Sequence, residues 1–233
     1  MLNVKEYIRI FSHIVWPQTC PVCGRVAVPF CQSCLESVVD PLPLFCLECG
    51  GAYGVKCCAS SAPCFALTEH AGYAREFLLR LKYHNVKSLG LPMGRLIGKH
   101  MFPERFDMVL PIPLHADSVR EYNQTELLAR GIGEIISTPV NSSALFWRKN
   151  CGKQTGRTGR ERSSMLYDSM SASTDVKDKH VLLVDDVYTT GGTLRAAKSA
   201  VETSGGIVAG AALWSRRISS NEPFESWDIT IED

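Results

Sequence analysis

The sequence predicts an α/β protein: a mostly parallel sheet with helices on both faces, plus a small N-terminal zinc-binding module. Three observations carry this. Apolar runs of strand length, "MVLPI", "HVLLV" and "GIVAGAALW", alternate with segments of helical period. Nine of the ten cysteines crowd between Cys20 and Cys64, mostly in C-x-x-C pairs. A turn of small and hydroxyl residues, Thr189-Thr190-Gly191-Gly192-Thr193, follows "HVLLV" just after two adjacent carboxylates, Asp185 and Asp186.

The bulk properties set limits. The chain has 233 residues, 45% hydrophobic and 21% charged, with a net charge of +1. That is globular composition with no global pull toward polyanions, so any basic surface is local. No apolar run reaches the ~18 residues of a membrane span, so no stable membrane insertion is expected. The N-terminus "MLNVKEYIRIFSHIVWP" is broken by Lys5, Glu6, Arg9 and His13, which leaves no signal-peptide core. It reads as an amphipathic helix with Tyr7, Ile8, Phe11, Ile14 and Val15 on one face. With cysteines arranged for metal rather than disulfides, a cytoplasmic location follows as the expectation.

The cysteine pairs are Cys20–Cys23, Cys31–Cys34 and Cys46–Cys49. Two intervening residues let one tight knuckle aim two thiolates at one ion, and two knuckles close a tetrahedral site. Cys20, Cys23, Cys31 and Cys34 could form one zinc site. Cys46, Cys49, one of Cys57 and Cys58 (Cys58 is preferred) and Cys64 could form a second. Pairing the first knuckle with the third also satisfies the spacing. Four thiolates leave no open position for water, so the zinc is structural. The turn-rich "CCASSAPCFALT" suggests a boundary, dividing residues 1–66, the helix and zinc module, from residues 67–233.

Tyr73, Phe77, Leu78 and Leu81 fall on one helical face. A second helix begins near Pro92 and carries Met93, Leu96, Ile97, His100 and Met101. Met108 to Ile112 reads as a buried strand, and "TELLARGIGEIIS" as a helix weakened by Gly131 and Gly133. "SALFW" and "HVLLV" are strands, "TLRAAKSAVETSG" is a helix, and "GIVAGAALW" is the last strand. The polar stretch "WRKNCGKQTGRTGRERSSM" interrupts this alternation. Arg148, Lys149, Lys153, Arg157, Arg160 and Arg162 oppose Glu161 alone there, which reads as either a solvated loop or an anion-binding flap.

In parallel sheets, ligands bind at the carboxyl ends of strands. Thr189, Thr190, Gly191, Gly192 and Thr193 offer consecutive N–H groups at a helix start with hydroxyls beside them, an anion site. Neither a Walker A loop nor G-x-G-x-x-G is present. Carboxylates repel phosphate, but they accept hydrogen bonds from hydroxyls and hold Mg²⁺. A ribose 5-phosphate group satisfies both halves, with its diol toward Asp185 and Asp186 and its phosphate in the turn.

The stretch "VLLVDDVYTTGGTL" resembles the phosphoribosyl pyrophosphate loop of type I phosphoribosyltransferases. "LPIPLHADSVREYNQTELLAR" resembles the P-V-P-L-H…R-G-F-N-Q-A-E-L-L-A segment of the ComF/ComFC family, which is linked to natural competence. That family also opens with paired cysteines and carries an "LKY" helix, matched here by Leu81-Lys82-Tyr83. Arg148, Gln154 and Arg162 fit its downstream segment, and the resemblance spans nearly the whole chain. It implies that Asp185 and Asp186 bind the ribose diol, with Asp186 a proton acceptor, and that Thr189 to Thr193 hold the 5-phosphate. It places Pro111, Ile112, Pro113 and Leu114 on the pyrophosphate side. Arg120, Asn123 and Gln124 match the R-G-F-N-Q motif, while Glu121 and Tyr122 depart from its glycine and phenylalanine. A carboxylate at 121 weakens anion binding unless it points away.

Two functions compete on this sequence. One is binding of a phosphoribosyl ligand with Mg²⁺ in a protein of DNA uptake, which handles single-stranded DNA through Arg157, Arg160 and Arg162 alongside the uptake machinery. The other is a working phosphoribosyltransferase of nucleotide metabolism with no DNA role.

Overall fold

The structure is a computed structural model that describes residues 20, 22–26, 31–54, 57–58, 62–115, 118, 120–148 and 169–218. The expected N-terminal helix, Cys151 and the arginines at 157, 160 and 162 lie outside the described residues.

A five-stranded sheet forms the centre, in the order β1-β2-β7-β6-β3. Its strands are β1 (Phe45–Cys46), β2 (Pro63–Glu69), β3 (Met108–Pro111), β6 (His180–Tyr188) and β7 (Ile207–Arg216). β2, β7, β6 and β3 run parallel, and only β1 is antiparallel, at the edge on β2. The near-continuous apolar character of β6 and β7 follows from burial on both faces. Val181 and Leu183 of β6 enter one core, and Leu182 and Val184 enter the other.

One face is covered by α2 (Gly72–Tyr83), α3 (Gly90–His100) and α4 (Gln124–Ile136). Phe77, Leu78 and Leu81 of α2 pack there with Trp214 of β7. Leu35 of the short helix α1 (Gln32–Glu36) joins them. Tyr73, expected on the same apolar face, is 53% exposed instead. The helix start turns it outward, and Ala74 takes the inner position. The glycines of α4 are not weak points. A Cβ on Gly94 of α3 would lie 2.1 Å from the Leu128 carbonyl oxygen, and one on Gly131 would lie 2.3 Å from that of Leu91. The two helix backbones touch, and only glycine permits that approach.

The other face is covered by α5 (Gly192–Thr203) and by a separate two-stranded antiparallel sheet of β4 (Leu145–Trp147) and β5 (Met170–Ala172). "SALFW" therefore does not continue the main sheet. The expected boundary between residues 66 and 67 falls inside β2, a strand the sequence reading did not anticipate. Cys64 to Leu67 are buried in the sheet, so the cysteine-rich segment supplies two strands to the main domain rather than preceding it.

Candidate functional site

The site forms where β6 ends and α5 begins. Successive side chains on a strand point to opposite faces, and this divides the aspartate pair. Asp185 lines a small open pocket together with Val187, Tyr188, Thr189, Thr190, Gly191, Gly192, Thr193 and Leu194. Gly191 takes a left-handed conformation, φ 73°, which lets the chain turn from strand to helix. The first N–H groups of α5 have no acceptor within the helix and face the turn, which makes it suited to an anion. Burial first, and the neighbouring Asp186 charge second, push the Asp185 carboxyl up to about 8. A cation or hydroxyl donors at this carboxyl would restore its ionised form.

Asp186 faces the helical layer and is only 6% exposed. Lys82 Nζ of α2 donates to one of its oxygens at 2.8 Å, and Gln124 Nε2 of α4 donates to the other at 2.5 Å. Both oxygens are thus engaged by the protein. Gln124 Oε1 is buried without a hydrogen-bond partner.

Asn123, expected at a ligand, holds the backbone at the end of β3, and Gln124, expected there too, is turned to Asp186. Asn123 caps α4 by accepting from the Thr125 N–H, and its Nδ2 donates to the Ile112 carbonyl at 2.9 Å. Thr125 Oγ1 donates to the same carbonyl at 2.6 Å. Trp147 Nε1 donates to the Pro113 carbonyl at 2.9 Å. The segment from Pro111 to Leu114 is therefore fixed from two sides. The Arg120 guanidinium lies 5.9 Å from the Tyr83 ring centre, and its Nη1 is buried without a partner. Glu121 points to solvent, 3.8 Å from Lys87 Nζ. Tyr122 turns its hydroxyl to the Leu81 carbonyl. The two departures from the family motif therefore leave the strand end free of added negative charge.

The cysteines gather in two groups, Cys20, Cys23, Cys31 and Cys34, and Cys46, Cys49, Cys57 and Cys58. In each group the sulfurs lie within 4.8 Å of one another. Thiols this close favour a bound cation, because they otherwise share protons. Hydrogen bonding, from Cys34 first and then Ser33, pushes Cys31 down to about 6, while Cys34 moves up. The Cys49 N–H donates to Cys46 Sγ at 3.4 Å, the bond that shapes a metal knuckle. Four thiolates with no carboxylate fit zinc. The first group matches the expected connectivity. In the second, Cys57 and Cys58 both take part, and Cys64 is elsewhere, fully buried in β2. Strand pairing decides this: Cys64 sits opposite Phe45, and its side chain enters the sheet core.

A phosphoribosyl transferase domain matches residues 118–232. The chain is 24% identical over 190 residues to the DNA utilization protein YhgH of Salmonella typhi, covering 75% of this chain and 80% of that one. It is 32% identical over 101 residues to the competence protein ComFC of Bacillus subtilis, covering 42% of this chain and 39% of that one. Domain and relatives agree with the ComF family. Among solved structures, adenine phosphoribosyltransferase from Thermoanaerobacter pseudethanolicus overlaps with a TM-score of 0.37 and 16% identity, over 78% of this chain and 84% of that one.

Within the matched residues, Asp185 and the turn at 189–193 form one pocket. Asp186, Gln124, Asn123 and Ile112 form a connected scaffold on the opposite face of the sheet. Sequence reasoning missed Lys82 as the partner of Asp186. The "LKY" match marked its position without suggesting a role. It also missed Glu48, Arg195 and Lys198, treated below. No helix among the described residues is long and apolar enough to cross a membrane.

Proposed function

We propose that the chain binds a phosphoribosyl pyrophosphate-like ligand with Mg²⁺ and serves DNA uptake in the cytoplasm, where reduced thiols hold structural zinc. One observation carries the ligand reading: a single carboxylate, Asp185, shares a pocket with the helix-start anion cradle at Thr189 to Thr193. Asp185 receives the ribose diol, the turn receives the 5-phosphate, and the fixed Pro111–Leu114 segment borders the pyrophosphate side. Mg²⁺ would neutralise the diphosphate. Asp186, held by Lys82 and Gln124, sets the shape of the strand end from behind.

Calorimetric titration with phosphoribosyl pyrophosphate and Mg²⁺ tests this. Binding by the zinc-loaded chain that is lost in Asp185→Asn supports the reading, and absence of binding by the folded wild type rejects it.

The DNA reading rests on the relatives named for DNA utilization and competence. It assigns a single-stranded DNA grip to Arg157, Arg160 and Arg162. Replacing all three with alanine should weaken binding and flatten its salt dependence. An unchanged salt slope would remove these arginines from the account.

A further inference from the structure

The Cys46–Cys49 knuckle does not hang free of the sheet. Cys46 lies in β1, Glu48 on the same turn reaches α5, and Gly50 reaches the ends of β6 and β7. Arg195 of α5 joins the knuckle directly to the loop that begins this helix: one guanidinium nitrogen, Nη1, donates to the Glu48 carbonyl at 3.1 Å and to the Thr190 carbonyl at 2.9 Å. Lys198, one turn further along α5, pairs with the Glu48 carboxylate at 3.0 Å and is largely buried. Arg216 at the end of β7 donates to the Gly50 carbonyl at 2.7 Å and stacks over Phe45 at 4.2 Å.

Tyr188 fills the space between the two turns. A Cβ on Gly50 would lie 3.1 Å from its hydroxyl oxygen, and a Cβ on Gly191 would lie 2.6 Å from it. Both glycines have positive φ, 74° and 73°. One phenol therefore supports the knuckle on one side and the phosphate turn on the other. Its ring packs edge-on against Phe45 with centroids 4.7 Å apart. The first cysteine group has a different setting: Val22, Cys34 and Leu35 pack into the core beneath α2, α3 and α4.

We propose that the Cys46–Cys49 knuckle is the back wall of the phosphate turn, and that metal held by Cys46, Cys49, Cys57 and Cys58 positions the backbone of Thr190 to Leu194 through Glu48, Arg195 and Tyr188. Arg195 and Glu48 are positioning residues, since neither reaches the ligand in this account. The inference rests on reading that turn as an anion site, and it adds a selectivity between the cysteine groups. Emptying the second group loosens the turn, while emptying the first leaves it in place. Metal loss at the Cys46–Cys49 knuckle therefore weakens phosphate binding at a distance.

The experiment is hydrogen exchange of the Thr190–Leu194 amides in the full chain, with zinc content measured and ribose 5-phosphate affinity read in parallel. Cys46→Ser/Cys49→Ser should speed exchange in the turn and weaken ribose 5-phosphate about tenfold. Cys23→Ser/Cys31→Ser should change either readout by less than about twofold. Glu48→Gln, which alters only the side-chain pairing with Lys198 and keeps the backbone carbonyl that Arg195 holds, should loosen the turn by a smaller amount. Arg195→Ala should loosen it as the knuckle variant does, and Arg195→Lys, which keeps a donor, should restore most of the protection. If the knuckle variant fails to fold, the Glu48 and Arg195 variants still decide the matter. Unchanged exchange in both Glu48→Gln and Arg195→Ala overturns the proposal, as does equal loosening on emptying either cysteine group. If wild type does not bind ribose 5-phosphate but the turn still responds to the Cys46–Cys49 knuckle, the coupling stands and the ligand reading falls.

Discussion

Asp185 and Asp186 are adjacent in sequence and identical in chemistry, yet they occupy two unlike regions. Asp185 opens onto a pocket beside a helix start. Asp186 is enclosed between α2 and α4, with a lysine on one oxygen and an amide on the other. The difference teaches that a paired-acid motif on a strand is two sites rather than one. The strand's alternation gives one carboxylate to the pocket and the other to the framework.

Substitution at Asp186's partner should produce the largest effect. Lys82→Met leaves a buried carboxylate unpaired and should cost about 3 kcal/mol of stability by denaturant titration. Lys82→Met/Asp186→Leu should recover most of that loss, because the charge is removed with its partner. If Lys82→Met is neutral, Asp186 is not a framework residue and the contrast collapses.

Asp185 should make the stability of the fold depend on pH. Its carboxyl is raised from 3.8 to about 8 on folding. The folded state therefore keeps a proton that the unfolded chain gives up near pH 4. The resulting stability is full below about pH 4, declines as pH rises, and is gone above about pH 8. Asp185→Asn should lack that slope, so the wild-type stability relative to the variant should fall between pH 5 and pH 8 and then level off (these pH points are approximate). Parallel stability curves for the two proteins would show that burial does not hold the proton.

Smaller effects sharpen the same division. Asn123→Ala removes the cap of α4 and a tie to Ile112, and should cost about 1–2 kcal/mol by thermal or chemical denaturation. Glu121→Gln, at an exposed pair with Lys87, should change stability by less than about 0.5 kcal/mol and leave ligand affinity unaltered. A large gain in affinity on neutralising Glu121 would mean that its charge reaches the pyrophosphate side after all.

Much of the fold was legible because its strongest signals are local. The apolar runs of β6 and β7 and the helical spacing of α5 mark themselves within a few residues. β2 was hidden because Pro63, the small residues before it and the neighbouring cysteines look like a linker. Its strand character comes from pairing with β7, more than a hundred residues away. Gly131 looked like a flaw in a helix until Gly94 was seen against it. For the site, the acid pair and the threonine-glycine turn stood out. The opposite facing of Asp185 and Asp186 was also readable from strand period alone, but treating the pair as one unit concealed it.

By itself, the sequence determined the α/β class, the threonine-glycine turn at a helix start and the clustering of cysteines in metal-type pairs, because each depends on residue types at short spacing. Only the tertiary structure decided which aspartate opens to the pocket, that Cys57 rather than Cys64 completes the second group, and that Glu48 meets Arg195 and Lys198. Those outcomes depend on pairing between segments distant in the chain, where burial and hydrogen-bond geometry select one arrangement among several that local spacing permits.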